Sequence, residues 1–264
     1  MNRRTLDVVP VVSLLLVAAL GWVVTVWQSV QMGAVMAPGL VHIGMSREMG
    51  ISSMNPGPMA TGAAFLGMWV GMMVAMMAPT IIPLVRAHLI VVTQQGRSRI
   101  DTVALVAGYF VIWFAIGLLP AALFAALQIA GPMWPELWLR VAAGAVLIVA
   151  GAYQFTNLKG ACLKACRGPL NFLMTHDFGA GAPGAFRSGL SHGLYCLGCC
   201  WALMAVLGVV GFMNLAWMAV LAVIFYLEKN WRAGLALTRV VGAGVVFLGL
   251  VVVAAPGLLG RISL

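Results

Sequence analysis

The five cysteines of this 264-residue chain all fall in one stretch, from Cys162 to Cys200. Cys162 and Cys166 stand four apart in LKGACLKACR, and Cys196, Cys199 and Cys200 follow in SHGLYCLGCCWALM. At 100° per residue, a helix would hold His192, Cys196, Cys199 and Cys200 within one arc of about 100°. Residues three or four apart have Cβ atoms about 5–6 Å from one another, close enough for several thiolates to share one ion. A single cysteine in an apolar helix is most often a small packing hydrophobe. Three on one face beside a histidine, with a second pair one loop away, point instead to a soft metal or to thiol redox chemistry. Lys159, Lys164 and Arg167 flank the first pair, where their charge would favour thiolates.

Methionine supplies a second soft cluster. The run MWVGMMVAMMAP carries Met68, Met72, Met73, Met76 and Met77. Ala63, Gly67, Gly71 and Ala75 recur every four residues, a small-residue stripe along which another helix can approach closely. Met68, Met72 and Met76 would run beside that stripe, with Met73 and Met77 on the next sector. Thioethers suit Cu(I) and stay neutral where a charge would be costly. Filling irregular gaps between helices is the other use of methionine. Residues 31–60 add Met32, Met36, Met45, Met49, Met54 and Met59 around His42. A loop of that kind needs no core filler, which favours metal capture there.

Composition narrows the scaffold that must hold these sulfurs. The chain is 63% hydrophobic and 8% charged, whereas soluble domains are near 25% charged and 45–50% apolar. Soluble globular, disordered and nucleic-acid-binding classes are excluded on that ground. Apolar runs of about 20 residues, enough to cross a bilayer, occur near 8–30, 61–85, 102–129, 137–156, 188–211, 214–231 and 238–259. The second could continue, kinked at Pro79 and Pro83, past Arg86 towards Val92. The sixth is the weakest, bracketed by Asn214 and the Glu228-Lys229 pair, which reads as interfacial. The first is too long for a cleaved signal peptide and reads as retained. The expected fold is all-α, a polytopic membrane helix bundle of about seven transmembrane helices. Residues 1–264 form one membrane domain, with an outer Met-rich loop at 31–60 and a cytoplasmic Cys-containing segment at 157–187. The first half of that segment reads as a short interfacial helix and its Gly/Pro-rich second half as flexible.

The cations orient the bundle. With the N-terminus in the cytoplasm, Arg3, Arg4, Arg86, Arg97, Arg99, Lys159, Lys164, Arg167, Arg187, Lys229, Arg232 and Arg239 fall inside, against Arg47, Arg140 and Arg261 outside. Twelve against three is a strong positive-inside bias, with the N-terminus in and the C-terminus out. The net charge of +9 is then mainly a topology signal. By the 1.5 Å helical rise, Cys196 would lie about 12 Å in from the cytoplasmic end of its span. From outside inward the donors would run from loop thioethers to buried thioethers, then to thiols. His176-Asp177 is a weaker candidate for accessory ligands.

At three of these motifs the sequence resembles the bacterial family of predicted metal-binding integral membrane proteins, a domain of unknown function whose members are often labelled copper-chaperone-like. The residues that carry the likeness are Met68–Pro79, Tyr153–Arg167 and Gly189–Met204, and the resemblance extends over most of the chain after residue 60. It implies a multi-helix membrane protein that binds metal, copper first. It also implies a ligand set of Met72, Met73, Met76, Met77, Cys162, Cys166, His192, Cys196, Cys199 and Cys200.

The leading expectation is an integral protein of the bacterial cytoplasmic membrane that binds Cu(I) for transport or for delivery to a copper chaperone or copper-enzyme partner, without being an enzyme. Zinc on four Cys/His ligands is a further possibility. Two alternatives stand beside it: a quinone-coupled thiol–disulfide oxidoreductase using the Cys-x-x-Cys of Cys196 and Cys199, and a structural subunit of a larger membrane complex.

Overall fold

The apolar runs become helices over most of the residues that the structure describes. The structure is a computed structural model and describes residues 3–32, 58–130, 135–176, 181–211 and 214–254. These residues form nine helices and no strand: α1 (Arg3–Met32), α2 (Pro58–Gln94), α3 (Ile100–Ala130), α4 (Glu136–Tyr153), α5 (Asn157–Arg167), α6 (Pro169–Thr175), α7 (Gly181–Val210), α8 (Leu215–Asn230) and α9 (Gly234–Ala254). The Met-rich loop lies almost wholly outside the described residues.

Local chemistry sets the helix ends. Thr156 caps α5 through its side chain, which accepts from the Lys159 amide, and Asn214 does the same for α8 at the Trp217 amide. Pro169 opens α6 at a position where its missing N–H costs nothing. Gly181 opens α7 at φ +86°, a backbone conformation suited to glycine. The helix therefore starts seven residues before the expected 188, and residues 169–175 are helical too. The second half of 157–187 is thus largely regular rather than a flexible lead. The longer alternative holds for α2, which continues through Pro79, Pro83 and Arg86 to Gln94.

Five of these helices are long and apolar enough to cross a membrane: Val8–Ser29, Phe65–Gln94, Ile100–Leu123, Gly181–Val210 and Gly234–Ala254. A sixth is added if Leu137–Tyr153 and Asn157–Arg167, bent by 62° to one another, act as one span. The run expected at 214–231 gives α8, with 16 residues. At 1.5 Å per residue that is about 24 Å, short of a hydrocarbon core of about 30 Å.

Two helices organise the rest. α7 packs against α3, α4, α5 and α8, while α2 packs against α1, α3 and α8. The α3–α7 crossing is set by glycine: a Cβ on Gly189 would overlap the Leu105 carbonyl, and one on Gly108 the Phe186 carbonyl. The small-residue stripe serves an internal contact. Gly21 of α1 lies over Gly71 and Ala75, where an added Cβ would fall 2.8 Å from the Ala75 amide nitrogen. Outer faces are apolar, with Leu16, Leu20 and Val23 on α1 and Val240, Phe247 and Leu250 on α9 exposed, whereas Lys159, Glu228 and Lys229 are buried. This inverts the usual arrangement of a chain in water.

Candidate metal centre

The expected arc on α7 exists: His192, Cys196, Cys199 and Cys200 are all buried on that helix. A second helix completes the sulfur group. α5 lies against α7 and brings Cys166 to within 3.9 Å of Cys199, sulfur to sulfur. The Sγ atoms of Cys166, Cys196 and Cys199 all lie within 4.8 Å of one another, so that one metal ion could be held among them. Cys200 touches the group at its edge, with its Sγ 3.4 Å from that of Cys199. The Cys199 thiol also donates to the Cys196 carbonyl at 3.1 Å.

Three expected ligands fall elsewhere. Cys162 lies one turn earlier on α5, with its sulfur over Gly198, where an added Cβ would come to 2.6 Å. The His192 ring packs edge-on to Phe172 at 4.8 Å and near Tyr109 at 6.0 Å, and its Nδ1 has no hydrogen-bond partner among the described residues. His176 stacks on Phe172 at 4.5 Å and meets the Tyr195 hydroxyl at 3.3 Å, and Asp177 lies outside the described residues. Met68, Met72, Met73, Met76 and Met77 are buried on α2, as their spacing requires. Among the described residues, Met77 is the one that polar contacts tie to the thiols. The Thr80 hydroxyl, which donates to the Met77 carbonyl at 2.9 Å, lies 3.9 Å from the Met77 sulfur and accepts from the Lys229 ammonium at 3.2 Å.

The charged residues act differently from the sequence expectation. Lys159 turns away from the cysteines into a buried ion pair with Glu228 at 2.9 Å, and also donates to the Gln154 side chain. Arg167 donates to the backbone carbonyls of Glu228 at 2.6 Å and Arg232 at 3.3 Å. Both cations fasten α5, and with it Cys166, to the end of α8. Glu228 and Lys229 are accordingly not an interfacial pair. Each is buried and points to its own partner, and the partner of Lys229 is Cys196, with Nζ 3.0 Å from Sγ. The Tyr109 hydroxyl of α3 shares a second hydrogen bond with that sulfur at 3.0 Å.

Lys229, Thr80 and Tyr109 were therefore missed as site residues, although spacing held a signal for two of them. Met218, Leu221, Phe225, Glu228 and Lys229 recur at helical intervals and form the buried face of α8. Leu105, Tyr109 and Trp113 do the same on α3. A lysine on the core side of an apolar helix calls for a buried anion.

The fold and this group define an all-helical protein with a buried cysteine cluster able to take a soft ion. Residues 66–252 match the profile of PpoB2, described as copper chaperone. The match covers well over half of the chain, which belongs to this copper chaperone family. It spans every sulfur from Met68 to Cys200 and leaves out α1 and the Met-rich loop. No curated protein and no solved structure matches the chain.

Proposed function

We propose that the chain is a multi-pass protein of the bacterial cytoplasmic membrane that takes Cu(I) into the Cys166, Cys196 and Cys199 group and passes it to a copper enzyme or a second chaperone. The observation that carries this reading is the mutual sulfur spacing. With metal–sulfur bonds of about 2.3 Å, two sulfurs across an ion stand up to about 4.6 Å apart, and three around it about 4.0 Å. The 3.9 Å between Cys166 and Cys199 suits either arrangement, and all three sulfurs lie within 4.8 Å of one another. Thiols and thioethers are the donors that select Cu(I), and copper is the metal of the family. Zn(II) is the competing occupant.

In this reading residues 1–264 are one membrane domain, crossed seven times with the N-terminus inside. The apolar outer faces of α1 and α9 support lipid contact. The charge count places the thiols towards the reducing cytoplasm, where they stay available for metal. α4 and α8 are the spans that need help, the first from α5 and the second from thinning of the bilayer around it. Met68, Met72, Met73 and Met76 are the route to the thiols, Met77 is its inner end, and Cys162, Cys200 and His192 are outer ligands used during transfer. No catalytic acid or base is required, and the protein is not an enzyme.

The test is metal analysis of purified protein beside a variant with Cys196, Cys199 and Cys200 all changed to Ser. The wild type should carry copper in the Cu(I) state and the variant none. Equal copper in both would sink the site. A second reading is favoured by the Cys166–Cys199 contact, since thiols that close on two helices can join on oxidation. It makes the protein a thiol–disulfide oxidoreductase, and a redox-dependent Cys166–Cys199 disulfide with no bound metal would favour it.

A further inference from the structure

Lys229 is buried, with its ammonium 3.0 Å from Cys196 Sγ and 3.2 Å from Thr80 Oγ1. Among the described residues it pairs with no carboxylate. Glu228, its neighbour in sequence, is taken by Lys159, and Asp101 by Arg97. A buried ammonium is costly unless an anion answers it. The groups able to supply that anion are the thiols beside it, Cys196 in direct contact and Cys199 and Cys200 within the next turn of α7.

We infer that Lys229 is the fixed counter-cation of the metal centre, a positioning residue that acts through Cys196 and matches the site to a monovalent ion held by two thiolates. The inference rests on the Cu(I) reading above. One Cu(I) between two thiolates leaves a net charge of minus one, which the ammonium brings to zero. A divalent ion on the same two thiolates is already neutral, and with Lys229 beside it the buried centre is left at plus one. On three thiolates the preference reverses, because Cu(I) then leaves the centre at minus one and a divalent ion leaves it neutral. Lys229 thus favours two-sulfur Cu(I) over both a divalent ion on two sulfurs and Cu(I) on three.

The experiment compares full-length wild type, Lys229→Met and Lys229→Arg, each equilibrated anaerobically with Cu(I) alone and with Zn(II) alone against a competing chelator. Lys229→Met should lose roughly tenfold or more in Cu(I) affinity while its Zn(II) affinity holds or rises. Lys229→Arg, which keeps the charge, should stay within roughly threefold of wild type for Cu(I). Undiminished Cu(I) binding by Lys229→Met overturns the inference, as does an Arg variant that falls as far as the Met variant. A measurement on the wild type covers the case in which Lys229→Met does not fold. X-ray absorption of bound Cu(I) should count two sulfur neighbours, and three would overturn the charge match. A wild type that binds no Cu(I) sinks the proposed function itself, whereas the other adverse results sink only the role of Lys229.

Discussion

The five methionines from Met68 to Met77 on α2 and the three cysteines of α7 are hidden to the same degree, with Met72, Met73, Met77 and Cys200 each at 0% exposure. Their surroundings differ. The methionines stand on a single helix within a hydrophobic cluster shared with Phe65, Trp69 and Trp113. The cysteines are met by side chains from three other helices: Tyr109 of α3, Cys166 of α5 and Lys229 of α8. A thioether is neutral and fills space well, so a helix can carry a line of them unaided. A thiol group that is to hold charge in an apolar interior needs donors and a counter-charge, and these come only from tertiary structure. The thioether stripe should therefore tolerate disturbance of the helices around it, and the thiol group should not.

Glu228→Gln tests that contrast hardest. It leaves Lys159 buried without its anion, a change that typically costs about 3–5 kcal/mol. The ion pair and the Arg167 contacts are what fasten α5 to α8, so Cys166 should be released from Cys199 while α2 is untouched. Thermal unfolding in detergent should show the loss of stability, and thiol labelling should show faster reaction at Cys166. A variant as stable as wild type, with Cys166 still protected, would show that α5 is held by packing alone.

Replacing Met72, Met73, Met76 and Met77 together by Leu probes the other side. Leu and Met are close in volume, and each such exchange usually costs under about 1.5 kcal/mol. The fold and the Cu(I) affinity of the thiol group should survive. If the stripe is a route, loading of the thiols from the outer side of reconstituted vesicles should slow by about tenfold or more, an effect on rate rather than affinity. Unchanged loading would reduce the stripe to packing.

How much of this was legible in the sequence follows the same division. Helices, burial of the methionines, and the shared face of His192, Cys196, Cys199 and Cys200 are consequences of local periodicity, and spacing reveals them. Gly71 and Ala75 announced a close helix contact, although nothing in the sequence said that Gly21 would fill it. The partnership of Cys166 with Cys199 is different, because it depends on how α5 folds back after the 62° bend at residues 154–156. Lys159 and Arg167 stand near the cysteines in sequence, yet a helix 11 residues long turns them to other sides. Glu228 and Lys229 are adjacent in sequence, but neighbours 100° apart on a helix address different partners.

Cys162 marks the finest point of the comparison, because spacing made it the equal of Cys166. Both lie on α5 four residues apart, and nothing in LKGACLKACR separates them. The structure does: Cys166 joins the three-sulfur group, while Cys162 rests on the bare backbone of Gly198. Cys166→Ser should therefore lower Cu(I) affinity, by about tenfold if one donor of the set is lost, and Cys162→Ser by less than about threefold. Competition against a Cu(I) chelator under anaerobic conditions reads both. Equal losses would mean that α5 slides to bring Cys162 in when the ion binds. A loss confined to Cys166 would mean that the centre is already assembled by the buried Lys159–Glu228 anchor before any metal arrives.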